Sequence, residues 1–343
     1  LIYVNPGAQK HFNNTPLLDK KDPDRKKYEQ LLRTTIANKK TGVYTISEGF
    51  YINNLHYGLN IYIDTEFKLL RLYLSDITDM KHMQGELKEQ RDAIIESLNY
   101  AQNIQNSILP KLRILDGFFE DYFALYRPKD IVSGDFYWAT SLGDDLLFAM
   151  CDCTGHGVPG AFMSIIGSNA LNRITKEKNN INLAEIISEL NEYYYESRIE
   201  SNDSVMDSMD IILLHYNKQS QKLRFSGCLQ QFYLVRNNEL SVHKTQTKPL
   251  GLEASKDQFM SEEVQLEKGD SFYLFTDGYA DQFGGPKSKK FKYPGFRKLL
   301  LENSNLKMVD QKINLISTLE SWRNNYSVRH DQIDDISVIG LKL

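Results

Sequence analysis

Cysteine is scarce in this chain of 343 residues. Cys151, Cys153 and Cys228 are too few, and odd in number, for a disulfide framework, and they fit a reducing cytosol. Cys151 and Cys153 stand two apart, and no second Cys/His pair at zinc-site spacing accompanies them, which argues against a zinc site. No apolar run approaches the roughly 20 residues that a transmembrane helix needs. An excess of basic charge is also missing. The 41 Lys and Arg are outnumbered by 45 Asp and Glu, for a net charge of −4, so a general electrostatic grip on nucleic acid is not expected. There is no Gly-x-x-x-x-Gly-Lys-Ser/Thr loop, so nucleotide binding has no positive support. What is present is ordinary globular chemistry, 41% hydrophobic and 25% charged, in a length that suits two domains of roughly 100–200 residues. The chain begins at Leu1 rather than Met. We therefore expect a fragment or processed form of a cytoplasmic protein, with an upstream membrane or sensor segment left open.

Residues 1–80 read as a small α+β unit. A short strand is predicted at Leu1–Val4 and a helix over Tyr28–Asn38. Strands follow at Gly42–Ile46, Glu48–Ile52, His56–Ile63 and Lys68–Ser75, rich in Tyr, Ile and Leu and separated by turn residues. Next comes a long helix, Asp79–Leu109, stopped by Pro110. Leu87, Ile94, Ala101 and Ile108 recur every seven residues. Leu98 occupies the interleaved position, and Arg91 and Gln105 take its two equivalents, giving a short, imperfect heptad seam. Such a helix either packs on its own domain or joins two copies as a parallel dimeric linker, and we expect the dimer.

From residue 111 to 343 the pattern is that of many strands with interspersed helix pairs, as in two packed sheets flanked by helices. Strands are predicted at Phe123–Arg127, Phe136–Ala139, Asp145–Cys151, Ile211–Tyr216, Leu223–Ser226, Phe232–Val235, Ser271–Phe275 and Ile336–Leu341. Helices are predicted at Pro159–Lys178, Leu183–Glu200, Tyr293–Glu302 and Met308–Asn324. Several aspartates stand at strand mouths here. Asp135 lies in Ser133-Gly134-Asp135-Phe136, Asp152 follows the apolar run Leu146–Cys151, Asp277 follows Phe272–Thr276, and Asp334 and Asp335 precede the last strand. Asp-Gly at a strand end is by itself ordinary turn chemistry. Several such carboxylates converging on one place would repel one another unless cations sat between them. Oxygen-rich sites of that kind suit Mg²⁺ and Mn²⁺.

The stretch Arg127–Trp138 (RPKDIVSGDFYW) resembles the first motif of SpoIIE-type phosphatases, the bacterial branch of the type-2C metal-dependent protein phosphatases. Asp152–Ala161 (DCTGHGVPGA) resembles the second, Phe275–Gly285 (FTDGYADQFGG) the third, and Asp334–Ser337 (DDIS) the closing motif, all in family order. The resemblance implies a C-terminal α-β-β-α sandwich that hydrolyses phosphoserine or phosphothreonine by direct attack of a water bridging two Mn²⁺ or Mg²⁺ ions. It implies that Asp135 and Asp152 bind the ions, that the Cys153 carbonyl adds a ligand, and that Asp277 and Asp334 complete the set. Asp335 is then a supporting partner rather than a ligand. Arg127 is a candidate for the substrate phosphate, against a surface salt bridge, and His156 a candidate general acid, against a solvent-facing turn residue. Asp210 either helps hold metal-bound water or caps its strand. The implied substrate is a phosphorylated anti-anti-sigma (STAS-type) protein. The rival reading is a phosphatase fold that only binds a partner; all the expected acids are present, which disfavours it.

The front segment resembles a PAS sensor domain in Leu1–Ala8 and, more clearly, in Leu74–Lys81 (LSDITDMK), which leads into the helix. That segment has no cysteine, so a flavin–cysteine photosensor is not expected, and nothing singles out His11, His56 or His82 as a haem ligand. The expected organisation is a PAS-like domain at 1–80, a linker helix at 81–110 and a phosphatase domain at 111–343.

Overall fold

The computed structural model describes residues 42–52, 55–64, 66, 69–177, 181–201, 208–247, 250, 251, 259–324 and 328–343. The strand expected at Leu1–Val4, the helix at Tyr28–Asn38, the Leu1–Ala8 likeness and His11 lie outside these residues. The chain divides into two compact units, Leu1–Ala93 and Ile94–Leu343. The boundary therefore falls inside the expected linker 81–110.

In the first unit, β1 (Gly42–Ile52), β2 (Leu55–Asp64) and β3 (Leu69–Asp76) form an antiparallel sheet in the order β1-β2-β3. The two strands predicted at 42–52 are one, with a shift in register between Ile46 and Phe50. β2 alternates buried and half-buried residues, with Leu59 and Ile61 in the core. Helix α1 (Thr78–Ile108) starts where expected. The Asp76 carboxylate accepts the Thr78 N–H at 3.0 Å and the Thr78 hydroxyl at 2.6 Å, capping the first turn.

The second unit begins with the last turns of α1. A 3₁₀ turn (Leu112–Leu115) leads to β4 (Asp121–Arg127), β5 (Phe136–Leu142) and β6 (Asp145–Cys153). Helix α2 (Gly157–Asn172) carries Pro159 in its first turn, where a missing N–H costs nothing. It ends in a π turn at Arg173–Glu177, where the Thr175 hydroxyl donates to the Leu171 carbonyl at 2.6 Å. Helix α3 (Leu183–Ser201) follows, then β7 (Met209–Asn217), β8 (Lys222–Cys228), β9 (Gln231–Arg236), β10 (Glu239–Lys244), β11 (Glu262–Gln265) and β12 (Ser271–Phe275). A single helical turn, α4 (Gly278–Asp281), precedes a two-residue hairpin of β13 (Phe283–Gly284) and β14 (Lys289–Lys290). Helices α5 (Lys292–Asn303) and α6 (Met308–Asn324) and strand β15 (Ile336–Lys342) close the unit.

These strands build two five-stranded sheets, β10-β9-β12-β15-β4 and β11-β8-β7-β6-β5. The facing sides meet in one core: Phe148, Met150, Ile212 and Leu214 against Phe232, Phe272, Leu274 and Ile339. The outer side of the second sheet is covered by α2 and α3, through Leu171, Ile186 and Leu190. The outer side of the first is covered by α5 and α6, through Phe296, Leu300, Leu315 and Leu319. Central strands such as β12 are therefore buried on both faces, which is why they read as unbroken apolar runs rather than alternating ones. This is the expected α-β-β-α sandwich. Among the described residues, no helix is long and apolar enough to cross a membrane.

Candidate active site

Antiparallel pairing delivers the carboxylates of both sheets to one end of the sandwich. In the second sheet Phe136 pairs with Cys151, and Asp152 pairs directly with Asp210, so Asp135, Asp152 and Asp210 stand at neighbouring strand ends. In the first sheet Phe275 pairs with Val338, which sets Asp277, just beyond β12, near Asp334 and Asp335, just ahead of β15. Thr276 joins the sheets. Its N–H donates to the Ser337 carbonyl at 3.0 Å and its hydroxyl accepts the Ser337 N–H at 3.1 Å. The same hydroxyl donates to Asp135 Oδ2 at 2.6 Å.

The turns carrying these acids touch backbone to backbone, and two glycines permit it. A Cβ on Gly134 would lie 2.5 Å from the Gly155 carbonyl oxygen and 3.0 Å from that of Cys153. A Cβ on Gly278 would overlap the carbonyl oxygen of Asp335. The side chain of Asp335 is buried, and both its oxygens are committed. One accepts the Lys129 N–H at 2.7 Å and the other the Gly134 N–H at 2.8 Å. It is a strut for the turn before Asp135. Asp334 is half-buried and accepts the Asp335 N–H at 2.9 Å.

The electrostatics of this end are unfavourable without a counter-charge. Burial pushes the Asp135 carboxyl well above its ordinary range, partly offset by the Thr276 hydrogen bond, with Asp335 adding to the rise. Asp152 is raised well above that range by burial and then by Asp135, Asp277, Asp334 and Asp210. Burial, then Asp334, Asp281 and Asp210, push Asp277 up to about 6. Burial alone pushes Asp210 up to about 6. Asp334 is raised chiefly by burial, with Lys129 and His156 acting the other way.

The donor set is made of hard oxygens from several strand ends, the chemistry that Mg²⁺ and Mn²⁺ prefer, so the residues fit such ions. Among the described residues no three His, Cys, Asp or Glu side chains are close enough to hold one ion between them. The Cys153 carbonyl faces the Gly134 turn, while its thiol is buried and pushed up by burial, so the backbone oxygen is what this residue offers. The thiols of Cys151 and Cys228 are buried and raised in the same way.

The remaining candidates are placed as follows. His156 is exposed; its Nδ1 lies 2.8 Å from Asp130 Oδ2 and its Nε2 lies 2.8 Å from Lys129 Nζ. A protonated Lys129 donates to Nε2, so the imidazole keeps its proton on the Asp130 side. The guanidinium of Arg127 pairs with Glu320 of α6, which is the surface salt bridge weighed against a phosphate contact. Asp210 belongs to the acid cluster through its pairing with Asp152. Three contributors were not singled out from sequence: Thr276, Lys129 and, on α1, Gln105. Thr276 stood inside the third motif. Lys129 stood inside the first motif, and Gln105 was named only as a polar position of the heptad seam.

Residues 143–343 match the family described as Stage II sporulation protein E (SpoIIE). Phosphoserine phosphatase RsbU of Bacillus subtilis (strain 168) is 22% identical over 203 residues, covering 58% of this chain and 56% of that protein. The chain thus spans a little over half the length of that curated relative. The SiaA-PP2C domain of Pseudomonas aeruginosa superposes with a TM-score of 0.67 at 28% identity, covering 74% of this chain and 98% of that one. The PP2C phosphatase domain of SpoIIE from Bacillus subtilis, with a fragment of its regulatory domain, superposes with a TM-score of 0.51 at 20% identity, over 65% of this chain and 63% of that one. The match begins after Asp135, whose place in the cluster rests on its bond from Thr276. By this match, which covers more than half of its length, the chain belongs to the SpoIIE family.

Proposed function

We propose that residues 111–343 form a metal-dependent protein serine/threonine phosphatase. The observation that carries this reading is the gathering of Asp135, Asp152, Asp210, Asp277 and Asp334 from two sheets at one end of the sandwich, each raised by burial and most by one another. A protein keeps such a cluster where a cation offsets its cost. Asp135, Asp152, Asp277, Asp334 and the Cys153 carbonyl would hold two Mn²⁺ or Mg²⁺ ions. Bound there, they would supply an activated water and neutralise charge on the phosphoryl group. Asp335 and Thr276 keep the Asp135 turn in place, and Asp210 stands beside Asp152 to orient water. The test is hydrolysis of phosphoserine and phosphothreonine peptides and of an aryl phosphate by the purified chain. We expect turnover with Mn²⁺ or Mg²⁺ and none with EDTA. No turnover under any metal condition would favour a partner-binding module.

His156 is proposed to protonate the leaving serine oxygen, which requires Lys129 to leave Nε2 and Nε2 itself to take up a proton, so that the acid is the imidazolium held at Nδ1 by Asp130. His156→Ala should then cost about 100-fold or more on a phosphoserine peptide and much less on an aryl phosphate, whose leaving group needs little proton help. Equal losses on the two substrates would leave His156 a turn residue held by Asp130. Arg127 reaches a substrate phosphate only by leaving Glu320.

The substrate is read as a phosphorylated signalling protein of the anti-anti-sigma (STAS) type, on the strength of the family motifs and the similarity to RsbU, a phosphoserine phosphatase. The front unit is read as a PAS-like sensor. Its support is an antiparallel sheet that passes through Asp76-Ile77-Thr78 into α1. A homodimer through α1 is supported by Met80, Leu87 and Ile94, spaced seven apart and 46%, 65% and 60% exposed. The seam does not continue as expected, because Gln105 is buried within the second unit.

A further inference from the structure

A glutamine at a heptad position is a poor choice if the helix only has to pack, since leucine would bury more apolar surface at no polar cost. Gln105 is 3% exposed. Its Oε1 accepts the Ser133 N–H at 3.1 Å, and its Nε2 donates to the Ser133 carbonyl at 2.6 Å and to Ser164 Oγ of α2 at 2.8 Å. One turn earlier, Gln102 Nε2 donates to the Ile131 carbonyl at 2.6 Å. Ser133 lies outside any strand and is fully buried, so its two backbone groups have no ladder and must find partners elsewhere. A single carboxamide meets both. Two antiparallel bonds to one residue, one to the peptide group on each side of its Cα, fix its backbone rotation as well as its position.

The grip is passed on. Ser133 Oγ accepts the Asp135 N–H at 3.1 Å. Gly134, the residue between them, rests against the carbonyls of Cys153 and Gly155 with no room to spare. A displaced Ser133 therefore disturbs Asp135 directly, and through Gly134 it disturbs the turn after Asp152. The other fixings of this loop, from Asp335, Thr276 and the Tyr126 hydroxyl, which donates to the Asp135 carbonyl at 3.1 Å, come from the first sheet and its approaches. Only the glutamines come from α1.

We propose that Gln105, with Gln102, is a positioning residue for the metal-binding end of the sandwich: the last turns of α1 clamp the Ile131–Asp135 loop and hold Asp135 in the geometry that binds the ion. The proposal rests on the phosphatase reading above. Helix α1 is thereby a part of the site's framework, and its placement sets metal affinity.

The experiment compares the full chain with its Gln105→Met and Gln102→Ala variants, and with Asn103→Ala on the exposed side of α1 as a control. Mn²⁺ binding is titrated by the EPR signal of the free ion, alongside thermal unfolding in EDTA and turnover against Mn²⁺ concentration. Partners one step removed from a metal cost about 10–100-fold in affinity when lost. Gln105→Met should weaken Mn²⁺ binding about tenfold, with turnover largely restored at saturating Mn²⁺, and Gln102→Ala should weaken it about threefold. Asn103→Ala should bind as wild type. A lowered melting temperature with unchanged Mn²⁺ affinity in Gln105→Met would show a packing role only and overturn the proposal. Should that variant not fold, wild-type affinity in Gln102→Ala overturns it equally. A wild-type chain that neither binds Mn²⁺ nor hydrolyses phosphate ester would instead remove the catalytic reading, and this inference with it.

Discussion

Asp152→Asn and Asp277→Asn should each lower turnover at saturating Mn²⁺ by more than about 100-fold, since even a residue one step behind a metal ligand is worth about 10–100-fold. The amide keeps the volume of the carboxyl and removes its charge. In the metal-free protein that removal is a relief, because burial raises both carboxyls, Asp135 and Asp277 add to the rise at Asp152, and Asp334 and Asp281 add to it at Asp277. Loss of activity should therefore come with equal or greater thermal stability in EDTA. The pH dependence follows from sign. Asp277 sits at about 6 against an ordinary 3.8, so the folded state holds this proton more tightly than the unfolded state does. Its contribution to stability is fully present below about pH 4 and is lost as the pH rises through about 6, a change on the order of 3 kcal/mol. Urea unfolding in EDTA should show wild type losing stability relative to Asp277→Asn across that window. Parallel pH curves, or near wild-type turnover in both variants, would remove these carboxylates from the metal set.

Gly278→Ala should be as damaging, although the new methyl group touches no substrate. It would strike the Asp335 carbonyl. The turn bearing Asp277 would have to move away from the strand mouth bearing Asp334 and Asp335. A displacement of about 1 Å in a catalytic constellation can cost about 100-fold. We expect that loss in turnover, together with about 1–3 kcal/mol of stability from overpacking. Excess Mn²⁺ should not restore the rate, because the two carboxylates no longer face one centre. Turnover within about threefold of wild type, with an unchanged melting temperature, would mean that the turn yields elsewhere and that this contact does not set the geometry.

Much of this site was legible as sequence because its acids sit where buried strands meet solvent. The runs before Asp152 and Asp277 are apolar throughout since both sheet faces are covered, and that pattern carries across without a structure. The edge strands β10 and β11 were missed for the opposite reason. ELSVHK and EEVQ carry charge along exposed edges, which protects a sheet from pairing further but erases the strand signal. Helix α2 was expected to run on to Lys178, but the structure describes a π turn over its last residues, and no residue pattern in Arg173–Glu177 announces the change. Gln105 is the instructive miss. Heptad spacing says which residues share a face of the helix, and it placed Gln105 on the face expected to meet a second copy. What that face meets is a tertiary fact, and at Gln105 it is Ser133 and Ser164 of the same chain. Asp335 was separated from Asp334 only by resemblance to a family pattern. The physical difference, two backbone N–H groups already occupying its oxygens, appears once Lys129 and Gly134 are seen beside it.

The three sealed cysteines provide a clock. Cys151 and Cys228 are 0% exposed and Cys153 is 3% exposed, all in the sheet that carries Asp135 and Asp152. A buried, protonated thiol does not react with an alkylating reagent until the structure around it opens. The rate at which a maleimide consumes these thiols therefore measures how often that sheet parts at the site. A ligand that binds the closed sheet must slow the reaction, whether it is a metal ion, a phosphopeptide or an inhibitor.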